Sequence, residues 1–188
     1  MLTQRWGSAL VFTFALALFA GAVRAQEKSV AFDSGAWVMA DAQVVDHLGR
    51  KSLVGTAFLK DVSLADGVVE VDVACSGARS YPGVLFRMQS PRETERVYLR
   101  PHRAGPSGYP DAVQYVPTFN GVDSWQLYNG EGFTAGATVP PGEWVPVKIE
   151  FKGTQARVYV GDMEHPALLI DSLKREPGAG TLGLNGPK

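Results

Sequence analysis

The chain has very few of the residues that staple a fold or hold a metal. Cys75 is its single cysteine, so no internal disulfide can close and no thiolate cluster can form. Cys75 lies in an apolar strand context, where a small core residue is expected rather than a nucleophile. The histidines, His47, His102 and His165, are scattered and lack metal-ligand spacing. Charge of one sign is scarce too: 18 basic residues stand against 19 acidic ones. Gripping a phosphate backbone needs a basic excess, so no nucleic-acid partner is expected. Helical periodicity is nearly absent, as are a phosphate-cradling glycine loop and a nucleophile elbow.

Long apolar runs are confined to one place. Ala9 to Ala22 is apolar, Arg5 precedes it, and Val23-Arg24-Ala25 puts small residues at −3 and −1 of a cleavage point. This reads as a signal peptide over residues 1–25, with a core too short for a comfortable membrane span. No second apolar run follows, so no membrane span is expected after cleavage. No cysteine near the cleavage point supports a lipid anchor. The expected location is secreted or periplasmic. Residues 26–188 then form a single domain with room for a real core. Loss of Arg5 and Arg24 leaves 16 basic and 19 acidic residues, a net charge of −3.

What is present is alternation with period two, broken by Gly, Pro, Asp and Asn. Strands are expected at Val44 to Leu48, Leu53 to Leu59, Val68 to Ala74, Gly83 to Met88 and Arg96 to Arg100. Others are expected at Ala112 to Val116, Trp125 to Tyr128, Trp144 to Phe151, Ala156 to Val160 and Ala167 to Ile170. Spacing of about ten residues per strand suits a β-sandwich. The clearest hairpin starts at Trp144 and turns at Lys152-Gly153. Val145, Val147, Ile149 and Phe151 form its buried face, against Lys148 and Glu150. Pro146 predicts an edge or a strand start, where its missing amide is not needed.

Parity sorts the middle strands. Val84 and Phe86, Val97 and Leu99, and Val113 and Tyr115 form one set; Trp125 and Leu127 join it. If these face the core, Arg87, Tyr98, Arg100, Gln114, Gln126 and Tyr128 share the opposite surface. Parity leaves open which surface is concave. The chemistry of the second set suits a carbohydrate or another small polar ligand. Arginine offers forked donors, glutamine both donor and acceptor, and tyrosine a flat body with a polar tip. His102, Asp111 and Asn120 fall in adjacent turns within reach of the rim. The ligand-binding candidates are therefore Arg87, Tyr98, Arg100, His102, Gln114, Asn120, Gln126 and Tyr128. Asp111 and Asn120 are turn formers in their own right, and Trp125 and Trp144 are expected in the core.

The order of these segments carries a resemblance. Gly67-Val-Val-Glu-Val-Asp-Val, Gly83-Val-Leu-Phe-Arg87, the Trp144 hairpin, Pro166-Ala-Leu-Leu-Ile and Gly180-Thr-Leu-Gly-Leu184 together resemble the concanavalin A-like lectin/glucanase superfamily, in its laminin-G-like branch. The stretch from Tyr98 through Gln114-Tyr-Val-Pro-Thr-Phe-Asn-Gly121 to Tyr128 resembles secreted bacterial members near the 3-keto-disaccharide hydrolase-like domains. The resemblance implies an all-β jelly-roll sandwich of two antiparallel sheets, with glycans held on a concave face and its rim. Such domains usually carry a further strand after the Gly-Leu-Gly-Leu segment; here only Asn185-Gly186-Pro187-Lys188 follows, so the expectation is either a fragment or a shorter sheet that leaves an unpaired edge.

The resemblance also raises an enzymatic reading. Family-sixteen glucanases of the superfamily use Glu-x-Asp-x-(x)-Glu, because a retaining mechanism needs two carboxyl groups about 5 Å apart. Here Glu70 and Asp72 begin the pattern, but Val73, Ala74 and Cys75 follow and the second glutamate is missing. A glycoside-processing enzyme would instead draw on His102 with Asp111 or Glu131. No cofactor is expected; the fold can hold Ca²⁺ in loops, yet no dense acidic loop points to one. Three readings follow: a secreted carbohydrate-binding domain, a glycoside-processing enzyme, and a protein-interaction module.

Overall fold

A computed structural model describes residues 28–105 and 108–187. The segment read as a signal peptide, residues 1–25, lies outside them. Among the described residues, no helix is long and apolar enough to cross a membrane.

Among the described residues the strands are β1 (Trp37–Met39), β2 (Gln43–His47), β3 (Arg50–Val54), β4 (Thr56–Leu59), β5 (Gly67–Ala74), β6 (Gly83–Ser90), β7 (Glu93–Leu99), β8 (Val113–Phe119), β9 (Val122–Asp123), β10 (Thr134–Ala135), β11 (Trp144–Lys152), β12 (Gln155–Val160), β13 (Leu168–Ile170) and β14 (Thr181–Asn185). They form a β-sandwich of the jelly-roll type. The larger sheet runs β1-β4-β14-β6-β7-β8-β10, with β9 also on β8; the smaller runs β13-β12-β11-β5. A separate hairpin pairs β2 with β3. Every pairing is antiparallel.

Alternation builds the core. Val84, Phe86, Val97, Leu99, Val113 and Tyr115 of the larger sheet meet Val147, Ile149, Phe151 and Val158 of the smaller. The Phe86 and Phe151 rings lie 4.8 Å apart across the interface. Each such side chain, fully buried, contributes roughly 1.5–3 kcal/mol of transfer free energy. Cys75 is in this core too, and burial pushes its thiol up to about 11.

Several sequence expectations need correction. The run Leu53 to Leu59 is two strands, because Gly55, at φ 89°, breaks it. Its missing side chain is required there: a Cβ would stand 2.6 Å from the Asp41 carbonyl oxygen. Trp125 to Tyr128 is a turn, not a strand. Trp144 is half-buried under the β2–β3 hairpin rather than in the core; Arg50 lies 5.0 Å over its ring and its indole N–H donates to the Leu48 carbonyl. Pro146 is on a central strand, with β12 and β5 on either side. The missing amide is harmless because Pro146 pairs with Gly161, just past the last residue of β12. The last strand, β14, lies inside the larger sheet, hydrogen-bonded to β4 and to β6.

Candidate functional site

The outward side of β7 and β8 presents the residues that alternate with the core set. They floor a cleft of about 730 Å³. Arg96, Tyr98 and Val116 come from the sheet, and Arg100, His102, Arg103 and Asp111 from the crossing between β7 and β8. Arg79 and Tyr81 form one wall, Asp123 and Trp125 another. A 3₁₀ turn over Pro101–Arg103 positions the crossing. Proline at the first position of that turn loses no hydrogen bond, since the amide there has no partner in any case.

At the centre is a buried polar network. The Tyr98 hydroxyl donates to Gln114 Oε1 at 2.6 Å and accepts from Arg100 Nη2 at 2.7 Å. Arg100 Nη2 also donates to Gln114 Oε1. Gln114 uses its amide nitrogen as well, donating to the carbonyls of Trp125 at 2.9 Å and Tyr128 at 2.6 Å. Burial pushes the Tyr98 phenol up, against the pull of Arg100 and Arg96, so it stays a proton donor. Gly83 faces Tyr98 across β6 and β7, and a Cβ there would stand 2.5 Å from the Val97 carbonyl oxygen.

Arginines dominate the walls. Arg96 lies 4.8 Å over the Tyr98 ring, donates to the Tyr81 carbonyl and stands 3.6 Å from Asp123. Arg100 and Arg103 share Asp111, at 3.2 and 2.6 Å. Arg79 Nε donates to the Tyr81 hydroxyl at 2.7 Å. Four arginines against two aspartates give the cleft a formal charge of +2. His102 packs edge-on to Tyr81, with 5.8 Å between ring centroids. Desolvation pushes its imidazole down, followed by Arg79, Arg103 and Arg100, while Asp111 opposes them.

The expected binding residues therefore separate. Tyr98, Arg100 and His102 line the cleft, and Gln114 lies beneath it as an anchor with all its polar groups engaged. Arg87 is not on this surface. A bulge interrupts the pairing of β6 with β7 after Phe86, and Arg87 takes φ 48°. Its guanidinium turns inward, lying 5.4 Å over Phe151 and donating to the Ala65 carbonyl and to Asp66. Gln126 is exposed in the turn, and Tyr128 packs on Phe133 with 5.3 Å between centroids. Asn120 heads a tight turn at φ 53°, where its amide donates to Glu93. Neither Gln126, Tyr128 nor Asn120 lines the cleft.

The acid/base set does not assemble either. Asp111 lines the cleft, but its oxygens accept from Arg100 and Arg103. Glu131 is exposed in a turn outside the cleft. Glu95 is fully buried on the core side of β7, where burial pushes its carboxyl up. Its oxygens accept from the Tyr115 hydroxyl and the Arg175 amide. Among the described residues, no cluster of three or more His, Cys, Asp or Glu could hold a metal ion.

Arg79, Tyr81, Arg96, Arg103, Asp123 and Trp125 also line the cleft, and none of them was among the binding candidates read from the sequence. Arg96 was accessible to the parity argument, since it sits two residues before Tyr98 on the same strand. Trp125, expected in the core, is 48% exposed.

No family model matches the sequence, and a search of curated proteins finds no match. Solved structures do resemble the fold. The carbohydrate binding module CBM66 from Bacillus subtilis superposes with a TM-score of 0.57 at 16% identity, covering 79% of this chain and 86% of that one. CG-16, a homodimeric agglutinin from chicken liver, gives 0.49 at 17% identity, over 71% of this chain and 96% of that one. Domain 4 of AbnA, an extracellular arabinanase of Geobacillus stearothermophilus in complex with arabinotriose, gives 0.38 at 13% identity, over 78% and 76%. At these identities the likeness to the carbohydrate binding module establishes a shared sandwich fold.

Proposed function

We propose that the chain is a secreted carbohydrate-binding domain whose ligand sits in the cleft over β7 and β8. The observation that carries this reading is the pairing of an exposed indole, Trp125, with a rigid floor of fixed donors. An aromatic face covers the apolar face of a sugar ring, and arginine and tyrosine donors reach its hydroxyls. The floor is preorganised by Gln114, so little ordering cost falls on binding. The fold shared with a carbohydrate binding module supports the reading, and the leader-like residues 1–25 support export.

A binder is favoured over a glycoside-processing enzyme because Asp111 is committed to two arginines. Glu95, the carboxyl pushed up by burial, points away from the cleft into the core.

The test is a glycan array probed with residues 26–188 and with Trp125→Ala. Hits that vanish in the variant support the cleft. Hits that persist place sugar binding elsewhere, and a folded protein without hits removes the reading.

A further inference from the structure

The donors of the cleft exceed what its own acceptors can take. Among the described residues, Arg96 Nε is buried without a hydrogen-bond partner. The terminal nitrogens of Arg79 have no partner among the described residues, because only its Nε is engaged. Arg103 likewise spends Nε on Asp111 and rests its guanidinium 3.9 Å over Tyr109. A buried donor without a partner costs free energy, which a ligand acceptor would recover. The two aspartates balance half of the four guanidinium charges, in a chain whose residues 26–188 carry net charge −3. A neutral sugar needs no such excess, since hydroxyls are satisfied by uncharged donors as well.

We infer that the cleft selects an acidic saccharide, a glycan bearing a carboxylate or sulfate that sits between Arg79, Arg96 and Arg103 while a ring stacks on Trp125. This rests on the carbohydrate reading above and narrows it. Planar guanidinium forks match a carboxylate or sulfate with paired hydrogen bonds. Tyr98 and Tyr81, against Arg96 and Arg79, restrict those side chains, so the forks are partly oriented before the ligand arrives.

The experiment is isothermal titration of residues 26–188 with three probes: an oligogalacturonate, its fully methyl-esterified form, and a sulfated galactan oligosaccharide. The ester keeps size and ring chemistry but removes the charge. The acid should bind at least about tenfold more tightly than the ester, the scale of one charge-assisted hydrogen bond. Its affinity should fall with added salt while that of the ester does not. Arg96→Gln and the exposed Arg79→Gln should each erase most of the preference; Arg79→Gln serves where Arg96→Gln does not fold. Tight binding of the sulfated probe alone identifies sulfate as the anion. Equal binding of acid and ester, both lost in Trp125→Ala, overturns the inference and leaves the carbohydrate reading standing. An acid preference that survives both arginine variants overturns it too. A folded protein that binds no saccharide on the array or in titration removes both.

Discussion

The side-chain amide of Gln114 donates to the backbone carbonyl of Trp125 at 2.9 Å, so a residue buried in the sheet holds an exposed indole at the cleft wall. The other end of the same amide accepts from Tyr98 and Arg100. Floor and wall are thus joined through one side chain. Gln114→Glu tests the link. The carboxylate still accepts from Tyr98 and Arg100 but cannot donate to Trp125 and Tyr128. Stability should fall by about 1–3 kcal/mol, the cost of leaving buried groups unpaired, and ligand affinity should fall with it. Chemical denaturation and titration of the same preparation check both.

Trp125→Ala separates affinity from folding. The indole is half exposed and belongs to neither hydrophobic cluster of the described residues, so stability should move by no more than about 0.5 kcal/mol. Saccharide affinity should drop by about tenfold or more, as for a stacked ring. A large loss of melting temperature would instead make Trp125 a structural residue.

Arg87 provides the opposite case. Its inward guanidinium ties the turn at Ala65 and Asp66 to the sandwich. Arg87→Ala should cost roughly 1–3 kcal/mol, the range for hydrogen bonds from a charged group, and leave saccharide affinity unchanged. An affinity loss without a stability loss would return Arg87 to the binding surface.

This residue also marks where the sequence stops being readable. Alternation assigns faces correctly at Val97, Tyr98 and Leu99, where β7 is continuous. It fails at Arg87 because a bulge interrupts the ladder after Phe86, and the positive φ of Arg87 turns its side chain inward where plain alternation would send it outward. It fails again at Trp125, since a four-residue alternation cannot be told from a turn. Arg79 and Tyr81 lie in an irregular stretch with no periodicity to follow. The sandwich itself was legible because strands such as β5 and β11 alternate in burial along their length, whereas β7 and β8 are buried on both faces.

Glu95 should leave a signature in the pH dependence of stability. Its carboxyl is raised by burial in the folded state. The unfolded carboxyl titrates near its ordinary value of about 4.3. Below that value both states are protonated and there is no penalty; as pH rises through the folded value, the buried charge costs stability. Glu95→Gln removes this term. Urea unfolding at pH 5 and pH 7 should therefore show wild type gaining on the variant at the lower pH. Asp162, held down to about 2, and Glu93, lowered by the Asn120 amide and Arg175, titrate in the opposite sense and are common to both proteins.

His102 should tune the cleft itself. In the free protein its imidazole is pushed down by desolvation and by Arg79, Arg103 and Arg100, with Asp111 opposing and the Tyr81 ring packed beside it. It is therefore mostly neutral at pH 7. A bound anion offsets the arginines and raises the imidazole again, so binding takes up a proton. By linkage, affinity for an acidic saccharide should rise as pH falls from about 7 to about 5, a window that contains the ordinary histidine value of about 6.5 and stays above most sugar carboxylates. The methyl ester should show no such slope. His102→Gln should flatten the profile for the acid while leaving its affinity at pH 7.5 within a few fold. A slope that persists in His102→Gln would assign the proton to another group of the cleft, and titration of both probes across that range decides the matter.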